Sequence, residues 1–347
     1  MLIKKRTARE TTRLFFTAAY HITLLMMLSG IVLPAETGHE LYAAMMISKG
    51  WTPGLKLAPS GVAKRGDAGW QHAGYNHPWV FSLDYDPRDP AVLYLATGSG
   101  CVRTRQDGLD WVQLTSWDMT ELMSVSVDRF APDQIYVGLV DGIGFSPDGG
   151  RTWTRRQAGL ERPFTQWVVT DRQVRGRLLA GTESGIFRST DEGRSWRRVG
   201  AEGSMVFHLV QSPREPRHWL AATQTQGVLF SRDNGDTWRT LDGVPKNWTL
   251  HNVAWDAHNA RRMAVCGWGL GVMVSRDGGA TWEARNYGLP SKEAWRVAID
   301  PDEPGRIYVH VHEQALYQSD DFGKNWKPAG LEGAQVRDLV FVPRRKR

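Results

Sequence analysis

Tryptophan recurs along this chain at a fixed interval. Trp111, Trp153, Trp196, Trp238, Trp282 and Trp326 are spaced by 42 to 44 residues. A period of that length is the mark of a repeat architecture, in which each repeat is one supersecondary unit. Each Trp closes a shared pattern, Ser/Thr-x-Asp-x-Gly-x-Thr-Trp. The clearest copies are Ser146-Pro-Asp148-Gly-Gly150-Arg-Thr152-Trp153 and Ser275-Arg-Asp277-Gly-Gly279-Ala-Thr281-Trp282. Asp191 with Trp196 and Asp233 with Trp238 mark two more, and Asp321 with Trp326 a slightly worn one. In the sixth, Thr104-Arg-Gln106-Asp-Gly108-Leu-Asp110-Trp111, Gln106 replaces the aspartate.

The chemistry of the motif is that of a hairpin turn. An Asp carboxylate accepts backbone N–H groups within the turn, as Asx-turns do. The Gly supplies a positive φ that other residues resist. The Trp opens the next strand with a large ring that plugs the space between neighbouring sheets. Folding accounts for every part of the motif, so Asp148, Asp191, Asp233, Asp277 and Asp321 and their tryptophans are read as structural.

The rest of each period supplies three further strands. Runs such as Leu83, Val125 and Val253 with their neighbours come first. Leu93-Tyr-Leu-Ala96, Ile135-Tyr-Val137 or Ile307-Tyr-Val309 follow. A third run then leads into the hairpin, as in Gly142-Ile-Gly-Phe145 and Gly271-Val-Met-Val274. Four strands in about 43 residues are the unit of a β-propeller blade. Six motifs do not limit the ring to six blades. Val336 to Val342 makes one more first strand after Trp326, while Leu41 to Ala44, Gly61 to Lys64 and Trp70 to Gly74 supply the other three. The chain is therefore predicted to be all-β, a single seven-bladed propeller over residues 36–343, its last blade closed by N- and C-terminal strands. A six-bladed ring with a stray N-terminal segment is the alternative.

These repeats resemble the Asp-box, or bacterial neuraminidase, repeat found in sialidases, xyloglucanases, sortilin-type receptors and the photosystem II assembly-factor family. A single propeller with Trp-ending boxes looks most like the assembly-factor group. That resemblance implies a periplasmic or lumenal binding and assembly scaffold, whose client is a protein or a membrane complex.

The ends of the chain bear on location and charge. Lys4, Lys5, Arg6, Arg9 and Arg13 precede Leu14 to Ala35, 22 residues without a formal charge. This pattern predicts a signal sequence or membrane anchor over residues 1–35, and hence export. The formal net charge is +6, but these residues and the basic tail at 344–347 account for much of it. No nucleic-acid partner is expected. Cys101 and Cys266 fall four blades apart in the repeat frame and are read as buried free thiols. The tether aside, the propeller is expected to be a monomer.

A propeller presents ligands with its channel and the loops around it. One column of the first strands reads Leu83, Val125, Val168, Leu209, Val253, Val297, Leu339 and is read as packing. The column before it reads Ser82, Ser124, Trp167, His208, Asn252, Arg296, Asp338. One step further back stand Phe81, Met123, Gln166, Phe207, His251, Trp295, Arg337. Strand alternation places the last two columns on opposite faces. The Ser82-to-Asp338 column is expected to meet the channel, because polar variety is tolerated beside water. The loops between second and third strands add Glu183, Gln224, Trp268, His312 and Glu313, with Trp268 set among glycines and so exposed.

Enzyme chemistry finds little support. Tyr94, Tyr136 and Tyr308 repeat at one strand position and read as packing, and the remaining tyrosines lack the Glu that a sialidase nucleophile needs. Asp84 and Asp338 are the one carboxylate pair placed on neighbouring blades, without a motif around them. His310-x-His312 supplies half a metal site at most, and ordinary strand packing explains it. No catalytic residue, metal or cofactor is expected. The expected function is a non-catalytic binding or assembly scaffold; a glycan-binding or glycoside-hydrolysing propeller is the alternative.

Overall fold

A computed structural model of the protein describes residues 38–49, 59–104 and 110–344. The predicted signal or anchor over 1–35, Gln106 and the end of the basic tail lie outside the described residues. Among the described residues no helix is long and apolar enough to cross a membrane.

The strands form seven antiparallel sheets of four strands each. Blade one begins at Val80–Asp86, and blades two to six begin at Leu122–Val127, Thr165–Thr170, Val206–Gln211, Leu250–Trp255 and Ala294–Ile299. In each, the first strand is innermost and the chain works outward, so neighbours in sequence are neighbours in the sheet. Blade seven is built differently. Its innermost strand is the C-terminal Ala334–Pro343, and His39–Ile47, Gly61–Gly66 and Gly69–Asn76 complete it. The register runs from His39 opposite Pro343 to Ile47 opposite Ala334. The chain ends are thereby joined by a full strand pairing, and the ring has no free inner edge. Seven blades, not six, is the architecture.

The blades meet through apolar faces. Leu220, Val228, Phe230, Val253, Val265 and Met273 fill the space between blades four and five, and equivalent clusters fill the other gaps. The tryptophans tie the outer edges together. Trp153 Nε1 donates to Leu114 O, Trp196 Nε1 to Arg156 O and Trp326 Nε1 to Arg285 O, each on the preceding blade. Trp70 Nε1 closes the circle by donating to Ala329 O at 2.7 Å.

The hairpins behave as their chemistry dictates. Asp233 Oδ1 accepts the Thr237 amide at 2.9 Å and Oδ2 accepts its hydroxyl at 2.6 Å, while Gly235 N donates to Ser231 Oγ. Gly235 holds a φ of +79°, and a Cβ there would stand 2.8 Å from Leu179 of the blade before. The same bonds recur around Asp148, Asp191, Asp277 and Asp321.

A second repeated device was not read from sequence. Asp86 ends its innermost strand, Asp128, Asp171, Asp256 and Asp300 directly follow theirs, and all five are buried. Each carboxylate accepts amides of the turn that follows, as Asp128 Oδ1 does from Phe130 and Ala131. The signal was present, since an Asp recurs at that point in five of the repeats.

Candidate binding site at the channel mouth

Inner strands run away from one face of the ring and second strands return to it. That face therefore carries the approaches to the innermost strands and the turns between second and third strands. The opposite face carries the aspartate hairpins and the turns after the innermost strands.

Near the first face, every innermost strand is broken at the same place. The ladder register shifts between Val80 and Ser82, Leu122 and Ser124, Thr165 and Trp167, Val206 and His208, Leu250 and Asn252, and Ala294 and Arg296. In blade seven it shifts between the pairs Ala44–Asp338 and Met45–Val336. The unpaired residues are Phe81, Met123, Gln166, Phe207, His251, Trp295 and Arg337. A bulge bends its strand and re-aims the extra side chain. All seven of these side chains converge on one cavity of about 140 Å³, where Trp167 and Arg296 complete the lining.

The Ser82-to-Asp338 column takes a different role. Ser82 Oγ accepts the Val125 amide, Ser124 Oγ accepts the Val168 amide at 3.0 Å, and Asn252 Oδ1 accepts the Val297 amide at 3.1 Å. Asp338 Oδ2 accepts the Leu83 amide at 3.1 Å. Innermost strands of adjacent blades share no backbone ladder, so these side chains carry the bonds between them. His208 contacts the Val253 backbone in the equivalent position, and burial pushes its imidazole down to about 3. Ser82 and Ser124 reach neither cavity. Trp167, His208, Asn252, Arg296 and Asp338 line a second cavity of about 530 Å³ toward the opposite face, together with the Leu83-to-Leu339 column. Trp167 and Arg296 line both cavities and so stand between them.

The mouth is an aromatic cluster. Trp295 stacks on His251 at 4.3 Å between centroids and on His312 at 5.5 Å. Trp268 meets Trp295 edge-on at 5.9 Å and His312 at 5.2 Å. Phe207 abuts His251, and Trp79 stacks near Phe81. The Arg337 guanidinium lies between, 5.0 Å from the Trp295 ring and 5.9 Å from Phe81. Burial, then the charges of Arg296 and Arg337, push His251 down to about 3, so the imidazole is neutral. Burial and the charge of Arg296 push Arg337 down to about 10.

Other sequence candidates have structural partners. Trp268 is exposed, as its flanking glycines imply. Glu313 accepts the Ser48 hydroxyl at 2.9 Å and so fastens blade seven to blade six. Glu183 is half-buried, with its amide donating to Phe164 O. His310 is fully buried and donates to Ala334 O at 2.8 Å, while His312 joins the aromatic cluster. Among the described residues no group of His, Cys, Asp and Glu is arranged to hold a metal ion. Asp84 and Asp338 do not present a free pair: Asp84 is bound by Arg129 at 2.6 Å and by the Val127 amide, and Asp338 by the Leu83 and Leu339 amides.

Large apolar groups are exposed mainly on the mouth face. Trp79, Trp117, Trp248, Trp268, Tyr287 and Val140 lie there, against Phe130 and Val174 on the opposite face and Val112 on an outer strand. Trp117 is 89% exposed.

No family model matches the sequence, and no curated protein matches it. Solved structures match the fold. The GH74 enzyme of Niastella koreensis aligns with a TM-score of 0.66 at 19% identity, over 84% of this chain and 54% of that one. YCF48 bound to a D1 peptide aligns at 0.56 and 17% identity, over 72% of this chain and 81% of that one. YCF48 from Cyanidioschyzon merolae aligns at 0.57 and 16%, over 74% and 86%. The chain spans 45% of the GH74 xyloglucanase of Xanthomonas campestris and about half of its Niastella counterpart. At these identities the likeness establishes the propeller fold and nothing finer.

Proposed function

We propose that this protein is an exported, non-catalytic scaffold that binds a protein or membrane complex through the mouth face of its propeller. The observation that carries this reading is the composition of the mouth. Nine side chains line it, two of them arginines and none of them acidic, and exposed tryptophans stand around it. Trp, Phe, Met and Arg set in a half-desolvated depression are residue types enriched at protein interfaces. Glycoside hydrolysis asks for two carboxylates flanking the scissile bond, whereas Asp84 and Asp338 are held by backbone amides. A propeller of the same fold was solved with a peptide bound, which supports a protein client by analogy. Export rests on the charge-free stretch from Leu14 to Ala35 behind a cationic start.

The test is an affinity pull-down of the tagged chain from detergent-solubilised membranes, with mass spectrometry of what is recovered. A stoichiometric partner lost on Trp268→Ala is the expected result. A propeller that recovers no partner, yet binds oligosaccharides on a glycan array, would replace this reading with the glycan-binding one, for which the exposed face of Trp268 is the supporting feature.

A further inference from the structure

Two arginines, Arg296 and Arg337, line the mouth cavity, and among the described residues neither forms a salt bridge with a carboxylate. Arg296 donates to the His251 and Trp295 carbonyls, and its buried Nε finds no partner among the described residues. Arg337 donates to the Gln335 side chain at 2.8 Å. Asp338 exerts an attraction on Arg296, but its oxygens accept the Leu83 and Leu339 amides and it lines the other cavity. Placing two cations together in a partly desolvated depression is unfavourable unless an anion joins them. None of the nine residues lining the cavity is acidic, so the lining itself supplies no negative charge.

The walls define the rest of the ligand. Phe81, Met123, Phe207, Trp167 and Trp295 present apolar and aromatic surface around the cations. Arginine recognises carboxylates through a planar pair of donors and stacks flat on rings. A volume of about 140 Å³ limits the buried part to a group of single-ring size.

We infer that the channel mouth is a binding site for a carboxylate joined to a single aromatic or compact apolar group, its oxygens on Arg296 and Arg337 and its body against Trp295, Phe81 and Phe207. The same chemistry is carried by a small aromatic acid and by the C-terminal residue of a polypeptide ending in Phe. The inference deepens the scaffold reading by naming the chemistry of its central contact, and it fails separately from that reading.

The experiment is calorimetric titration of the folded propeller with phenylacetate and with neutral phenylacetamide, repeated on Arg337→Gln and Arg337→Lys. Phenylacetate is expected to bind saturably, and phenylacetamide and the Gln variant to weaken binding by about tenfold or more, since hydrogen bonds between charged groups are at stake. The Lys variant is expected to recover part of the loss. A hexapeptide ending in Phe, as free acid and as amide, separates the two sources. Preference for the free-acid peptide over phenylacetate assigns a polypeptide end, and the reverse assigns a small acid. Equal binding of phenylacetate and phenylacetamide, or unchanged affinity in Arg337→Gln with an unchanged melting temperature, overturns the inference. Membrane-partner recovery by the unmodified chain in that event leaves the scaffold reading standing.

Discussion

The guanidinium of Arg337 lies over the indole of Trp295 at 5.0 Å from its centroid, and the two residues belong to different blades. Arg337 comes from the C-terminal strand and Trp295 from blade six, so the contact joins the innermost strands of adjacent blades. A half-exposed cation over a Trp face contributes about 0.5–2 kcal/mol. A double-mutant cycle of Arg337→Gln and Trp295→Leu, followed by urea unfolding, is expected to return a coupling energy in that range. Additive losses would mean that the two side chains stand together without supporting one another.

Asp338 makes a prediction about pH. Burial raises its carboxyl to about 6, against the opposing attraction of Arg296 and the bonds from the Leu83 and Leu339 amides. An unfolded carboxyl titrates near 4, so the folded chain holds this proton more tightly. The stability contributed is complete below about pH 4 and is lost as pH rises through about 6, by on the order of 2–3 kcal/mol. Asp338→Asn keeps an oxygen for the Leu83 amide and cannot ionise. Wild type is therefore expected to lose stability relative to the variant between pH 4 and 7.5 in paired urea titrations. Parallel profiles would show that the carboxylate is not penalised in the fold.

The hairpins titrate in the opposite sense. Burial raises Asp191, but the bonds from the Ser195 hydroxyl and amide and from Ser189 together outweigh it and hold the carboxyl at about 2. A depressed carboxyl contributes stability present above about pH 4 and lost as pH falls toward 2. Asp191→Ala removes three acceptor contacts, and with neighbours that can turn to water the cost is about 1–2 kcal/mol. The thermal midpoint at pH 7 is expected to fall and the gap to wild type to narrow at pH 2.5. A gap that persists at low pH would assign the loss to the turn backbone instead.

The thiols of Cys101 and Cys266 are fully buried, and burial pushes both up to about 12. A buried thiol with so little thiolate is inert. Ellman's reagent is expected to find both unreactive in the native chain and both reactive in urea. Labelling of either one under native conditions would reveal local opening of its blade.

Fold and site were legible to very different depths. Trp spacing, the Ser-x-Asp-x-Gly turns and the matched ends at Trp70 and Val336 give the seven blades, because each is a local pattern repeated often enough to average out its exceptions. The channel residues were legible only in part: Trp167, His208, Asn252, Arg296 and Asp338 of the polar column line the second cavity, but the residues that converge on the mouth were not read as channel residues. Strict alternation sends Ser82 and Phe81 to opposite faces and favours the polar column for the channel. The bulge at Phe81 and its six equivalents breaks the alternation, and nothing marks it in sequence, since Phe, Met, Gln, His, Trp and Arg all occupy it. The polar column faced a demand that a single strand does not announce: amides of adjacent innermost strands need acceptors, and Ser82, Ser124, Asn252 and Asp338 provide them.

The closing strand gives the last prediction. Ala334–Pro343 pairs along the whole of His39–Ile47 and supplies Arg337 and Asp338 to the channel. Without it, blade seven would keep three strands and expose the edge carrying the buried Leu41, Ala43 and Met45. An open apolar edge of that length is a template for pairing with another chain. Truncation after Glu332 is therefore expected to yield oligomers on size-exclusion chromatography and to abolish a single cooperative melt. A synthetic peptide covering residues 334–343, added in trans, is expected to restore the monomer. A truncated chain that stays monomeric and melts as wild type would show that the apolar clusters between blades hold the ring without the strand that closes it.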